Sequence, residues 1–183
     1  CSSPFALALD QVAELYPACD QRAVFSFWSQ HYFAALIIPV IAVAAGLGRM
    51  LPVRFDEVGM TLGPDGFAAS FLYRNEGNPL AKDRPLEPLI AGHLEPFIAW
   101  AGIRFAITPK LLWSNAGTVL EWALATAGSV FPSGHDVVAQ GLRHLDTKLV
   151  EGEPNPLFQP VRYPVEAGKP VRRRRVCCLR YML

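Results

Sequence analysis

Between Ala23 and Leu47 the chain is almost continuously apolar, and Leu36 to Leu47 carries no charge at all. Such a run has to be buried, either in a protein core or in a bilayer. Crossing a bilayer as a helix takes about 20 consecutive apolar residues. The wholly apolar stretch is shorter than that, and Gln30, His31 and Pro39 interrupt the longer version. The run is therefore read as a buried helix pair or kinked helix in preference to a transmembrane span. With 183 residues and 51% hydrophobic content, the chain can bury one substantial core around it, which argues against disorder over most of its length.

The segments on either side supply that core. Phe5, Leu7, Leu9, Val12, Ala13 and Leu15 repeat at helical spacing, and Pro17 would end the helix. From Leu51 to Tyr73 the period changes to strand, turn, strand around Gly63-Pro64-Asp65-Gly66. A polar loop, 74–88, precedes two helices read over 89–103 and 109–128, the second with Thr108 as N-cap and Pro109 at its first position. A further helix is read over 135–151, with Ser133 as its N-cap. Five prolines between 152 and 175 disfavour regular structure and predict an extended arm. The fold class that follows is α+β: mainly helical, with a small antiparallel β-hairpin around 51–73 and a Pro-rich C-terminal arm. Residues 1–171 form one domain, and 172–183 form a short segment of different character.

That segment, Arg172-Arg173-Arg174-Arg175-Val176-Cys177-Cys178-Leu179-Arg180-Tyr181-Met182-Leu183, is where chemistry concentrates. Guanidinium groups beside two thiols favour thiolate, the form that reacts and binds metal. The pair can be two ligands of a soft-metal or iron–sulfur centre. It can also be a vicinal redox disulfide, at the cost of a distorted peptide, or simply two small buried side chains. Charge is polarised in the same direction. From Glu166 onward there are six Lys or Arg against one acidic residue, and eleven against fifteen before it. A basic run is most often a solvated tail; here Arg172, Arg173, Arg174 and Arg175 directly precede the thiols, so they are read as offsetting an anionic cluster or docking an anionic substrate or redox partner.

Other chemistries find less support. Cysteines at 1, 19, 177 and 178 do not make the framework of a secreted disulfide protein, and a reducing compartment fits better. His135 and His144 stand nine residues apart, on separated faces of one helix, and no His-x-x-x-His or Glu-x-x-His pair occurs. Pro132-Ser133-Gly134-His135 lacks the context of a nucleophile elbow. No phosphate-cradling glycine loop or dinucleotide fingerprint is present, so electrons would come from a separate donor. Trp113, in a Leu-Leu-Trp run, is read as packing between helices, and Asn115 as hydrogen-bonding a neighbouring backbone.

Three stretches resemble the FhuF-type ferric-siderophore reductases. Cys177-Cys178 with Leu179-Arg180-Tyr181 resembles the opening of that family's Cys-Cys…Cys-x-x-Cys cluster signature. His93-Leu94-Glu95-Pro96-Phe97-Ile98 and Leu111-Leu112-Trp113-Ser114-Asn115-Ala116 look like its helical region. The resemblance covers roughly residues 85 to 183. It implies a cytoplasmic oxidoreductase; Leu36 to Leu47 and the arginine run separately allow a membrane-associated protein, peripheral at the inner face of the membrane. Such an oxidoreductase passes one electron from a [2Fe–2S] cluster to a ferric siderophore and releases Fe(II). Cys177 and Cys178 would be two of the four cluster ligands, the partners a ferric siderophore and an external electron donor, and nucleic acid no partner. The first residue is not methionine and the Cys-x-x-Cys half is absent, so the sequence reads as a fragment truncated at both ends, unable to hold the cluster stably. The alternative is a non-redox siderophore-binding or siderophore-biosynthesis-associated domain, which needs no cluster.

Overall fold

The computed structural model describes residues 4–17, 19–179 and 182–183, with side chains from residue 9 onward. The central apolar run forms one helix, α2 (Gln21–Leu47), preceded by α1 (Pro4–Glu14). Asp20 caps α2: its carboxylate accepts from the Arg22 backbone N–H at 2.8 Å and from the Arg22 guanidinium, and these bonds hold its pKa at about 2. Gly48 ends the helix at φ 65°, a left-handed conformation that glycine adopts without penalty. The run is not split into a helix pair. Pro39 sits inside the one helix, where it has no N–H to give the Ala35 carbonyl. By length and mean hydropathy α2 could cross a membrane, but here Trp28, Phe33, Leu36, Ile37, Val40 and Ile41 lie in the protein core.

Two long helices complete the scaffold. The first is a composite of α3 (Glu87–Leu89), a π-helical turn (Ile90–Leu94) and α4 (Glu95–Arg104). Its irregularity follows from Pro96, which has no N–H to give the Gly92 carbonyl one α-turn earlier. The Phe55 backbone N–H takes that acceptor instead, at 3.0 Å. The second is α5 (Pro109–Val130), which packs Leu112, Ala116, Leu120 and Leu124 into the core. Thr108 occupies its N-cap position, yet its side chain makes no capping bond. Asp20→Ala is therefore expected to lower Tm by about 2–4 °C and Thr108→Ala by less than about 1 °C in thermal melts.

After a short 3₁₀ turn (Pro132–Gly134), α6 (His135–Asp146) closes the helical layer. Gly134, and not Ser133, caps it. A side chain at 134 would stand 2.5 Å from the Ala45 carbonyl oxygen, so the start of α6 rests directly on α2. The helix also stops at Asp146, five residues short of the expected end.

Strands are short and paired in twos. The predicted hairpin is β2 (Gly59–Leu62) with β3 (Ala68–Leu72), in register Gly59 to Leu72. Residues 51–58, expected as strand, are instead loop and turn. β1 (Arg49–Met50) pairs with β4 (Asn78–Pro79). The proline-rich arm is not merely extended. β5 (Leu149–Val150) pairs with β6 (Glu153–Pro154), and β8 (Val165–Glu166) with β9 (Lys169–Pro170). β7 (Val161–Arg162) pairs with β10 (Arg173–Arg174). Leu157, fully buried, pins the arm to the core. Pro154 and Pro170 sit in two-stranded edges, where a missing N–H is tolerated.

Candidate functional site

The arm delivers the C-terminal segment onto the seam between α2 and α5. The four arginines that directly precede the thiols each have a defined place. Arg172 forks onto the Glu121 carboxylate, with Nη2 at 2.6 Å and Nε at 3.0 Å, and also donates to the Thr118 carbonyl at 2.7 Å. Arg173 forks onto Glu166 at 2.6 and 2.7 Å, which lowers the pKa of that carboxylate. Arg174 turns inward and donates to Asn115 Oδ1 at 2.8 Å and Gln30 Oε1 at 2.7 Å. The Arg175 guanidinium lies over the Phe158 ring, 5.5 Å from its centre, while its backbone N–H bonds the Pro160 carbonyl. The run is thus anchored at two points: Arg172 and Arg174 fasten the segment to α5 and α2, while the guanidiniums of the exposed Arg173 and Arg175 contact residues of the arm itself.

Asn115 is the hub of that attachment. It is 1% exposed. Its Nδ2 donates to the Ser26 carbonyl at 3.1 Å, to Ser26 Oγ at 3.2 Å and to Ser29 Oγ at 3.0 Å. A guanidinium only donates and a carbonyl only accepts, so these partners fix which end of the amide points where. Ser26 Oγ in turn donates to the Cys178 carbonyl at 2.8 Å. The next residue, Leu179, has φ 61°, and Leu179 and Leu183 pack against the core. Arg180 and Tyr181, part of the family resemblance, lie outside the described residues.

The outcome is a pair of free thiols on irregular backbone, Cys177 exposed and Cys178 half-buried. Thiolate is the donor that a [2Fe–2S] cluster takes, four per cluster. Adjacent, accessible and unbridged, Cys177 and Cys178 fit two of those four positions. Cys19, also a free thiol, precedes the α2 N-cap, and Cys1 lies outside the described residues. Among the described residues no group of three His, Cys, Asp or Glu side chains converges as a metal site.

A second constellation lies further along α2. His93, in the π-turn, is fully buried. Its Nδ1–H donates to the Val53 carbonyl at 2.5 Å, which leaves Nε2 to accept from the Tyr32 hydroxyl at 2.6 Å. Burial pushes its pKa down to about 4, and burial also raises that of Tyr32. Tyr32 stacks on Phe97 and, with Phe55, Met60, Phe71 and Trp100, lines a cleft of about 260 Å³ under the hairpin. Trp113 points the opposite way from Asn115, because two helical positions differ by about 200°. It is half-buried and walls a larger cleft, about 610 Å³, together with Pro109, Ile98 and His144.

Ser26, Ser29, Gln30 and Tyr32 were not singled out by sequence reasoning. The available signal was Gln30, a polar residue interrupting an apolar run, with two serines just before it. Asn115 bonds the Ser26 backbone, as its reading expects, while Trp113, read as packing between helices, is half-buried against the core and forms one wall of a cleft.

The site is thus a pair of adjacent thiols, one exposed and one half-buried, on a segment that Arg172 and Arg174 tie to a mainly helical domain. The chain belongs to the family described as ferric iron reductase FhuF-like transporter, whose model matches residues 26–170. It is also similar to the ferric siderophore reductase of Escherichia coli (strain K12), with 26% identity over 180 residues. That alignment takes in 90% of this chain and spans 63% of the length of that protein.

Proposed function

We propose that this chain is the scaffold of a ferric-siderophore reductase in which Cys177 and Cys178 are two ligands of a [2Fe–2S] cluster. What carries the reading is the docked thiol pair on a domain of this family. When bound, the cluster supplies one electron at a time, received from a separate donor. The substrate is a ferric chelate: hard oxygen donors suit Fe(III) better than the larger, less charged Fe(II), so one-electron reduction weakens the complex and frees the metal. In this account α2 and α5 hold the thiols through Ser26 and Asn115, and the arginines fix the segment's course. Free thiols suit a reducing, cytoplasmic setting.

The test is visible absorption and EPR of the full-length gene product before and after reduction, with iron and sulfide analysis and Cys177→Ser beside it. A reducible [2Fe–2S] signal that Cys177→Ser abolishes is the expected result. The 183-residue chain alone, with two ligands placed, is expected to return well under one cluster per chain after reconstitution.

One observation favours a second reading. The family match covers residues 26–170, so it rests on the helical scaffold and not on the arginines or the cysteines. A siderophore-binding domain without redox chemistry would need no more. A colourless full-length protein that still binds a ferric siderophore would establish that alternative.

A further inference from the structure

We infer that Asn115 is the positioning residue for the Cys177–Cys178 segment, acting directly on Arg174 and through Ser26 on Cys178. For the effect on a bound cluster, the inference rests on the proposed role of the two cysteines. For the placement of the thiols it stands alone.

The geometry assigns this role because one amide holds both ends of a five-residue stretch. Its oxygen takes Arg174 Nη1, at 2.8 Å. Its nitrogen reaches Ser26 Oγ, whose own proton goes to the Cys178 carbonyl at 2.8 Å. Gln30 closes the ring, accepting from Arg174 Nη2 at 2.7 Å and donating to the Ser26 carbonyl at 3.3 Å. With both ends drawn to the same point, Arg174 to Cys178 forms an arch. Arg174, Val176 and Cys178 face inward, and Arg175 and Cys177 face outward.

A purely structural role does not account for the arrangement. Asparagine is a poor helix former, and burying its amide is costly unless both halves are satisfied. Bonds to Ser26 and Ser29 would tie α2 to α5 and use only the nitrogen. The oxygen is spent on Arg174, from the segment that carries the thiols. Supporting shells of this kind set the position of a functional group to within a fraction of an ångström.

The test uses the full-length protein stripped of iron with a chelator. Iodoacetamide alkylation of each cysteine is followed by mass spectrometry in the native state, with thermal melts recorded in parallel. Asn115→Leu removes both halves of the hub, and Ser26→Ala removes the tether to Cys178 together with one acceptor of the Asn115 nitrogen, leaving the bond to Arg174 in place. Loss of a part-buried bond to a charged group makes Cys178 alkylation in Asn115→Leu about tenfold faster or more, with a smaller acceleration in Ser26→Ala. Rates within twofold of the parent protein in both variants would overturn the inference. If Asn115→Leu does not fold, Ser26→Ala decides alone. In the iron-loaded protein, a shift in reduction potential in Ser26→Ala is expected as well. A protein that holds no cluster would end the reductase reading, yet leave the alkylation result intact.

Discussion

Acidification from pH 7 to pH 4 is expected to remove about 3 kcal/mol of stability through His93 alone. The folded protein holds this imidazole neutral, with its pKa lowered to about 4 by burial, against 6.5 in an unfolded chain. Between those values the unfolded state binds more protons, so stability rises with pH. The contribution is complete above about pH 6.5, is lost as the pH falls towards 4, and changes little below that. Protonation would put a cation among the rings of Tyr32, Phe55 and Phe71 and would force the Tyr32 hydroxyl to give up its acceptor. His144, also shifted down by burial, adds in the same direction. Urea denaturation across pH 4–7 measures the slope. His93→Gln, less stable throughout, is expected to lose much of the dependence; an undiminished acid loss in that variant would reassign the effect to other groups.

Helices and their order were legible because apolar periodicity is a local property. The function of the polar residues inside those helices was not. His93 and Pro96 stand out in the sequence as parts of one motif, but the link between them is three-dimensional: Pro96 cannot donate to Gly92, the helix takes a π-turn, and Phe55 occupies the freed carbonyl. Asn115 read as a backbone-bonding residue, which it is, but its partner Arg174 lies 59 positions away, and no periodicity connects them. The arm was misjudged for a related reason. Five prolines argue against long strands, but two-residue ladders need few N–H groups, so β7 and β10 can pair across the proline-rich stretch. The arginine run read as a solvated or cluster-facing charge because its acceptors, Glu121, Glu166, Asn115 and Gln30, come from three other parts of the chain.

Gly117→Val is expected to destabilise the protein by about 3 kcal/mol and to loosen the cysteine segment with it. In an unpacked helix, replacing glycine would stabilise by up to about 1 kcal/mol, so the sign itself is informative. At this point on α5 a Cβ would lie 2.8 Å from Pro160 Cβ and 3.2 Å from Leu157 Cδ2. Neither can retreat easily: Leu157 is fully buried, and Pro160 is a rigid ring whose carbonyl receives the Arg175 N–H at 2.9 Å. Any side chain at 117 therefore pushes the arm off α5, and the strain passes through β7 to its partner β10 and on to Cys177 and Cys178. A fall in Tm of about 6–12 °C is the expected readout for a chain of this size. Pro160→Gly in the same chain, by clearing the opposing Cβ and ring, should recover part of the loss, giving a double mutant more stable than the sum of the two single changes. Strict additivity would mean that the arm does not rest on Gly117 in solution, and that the cysteines are held by the Asn115 hub without support from the arm.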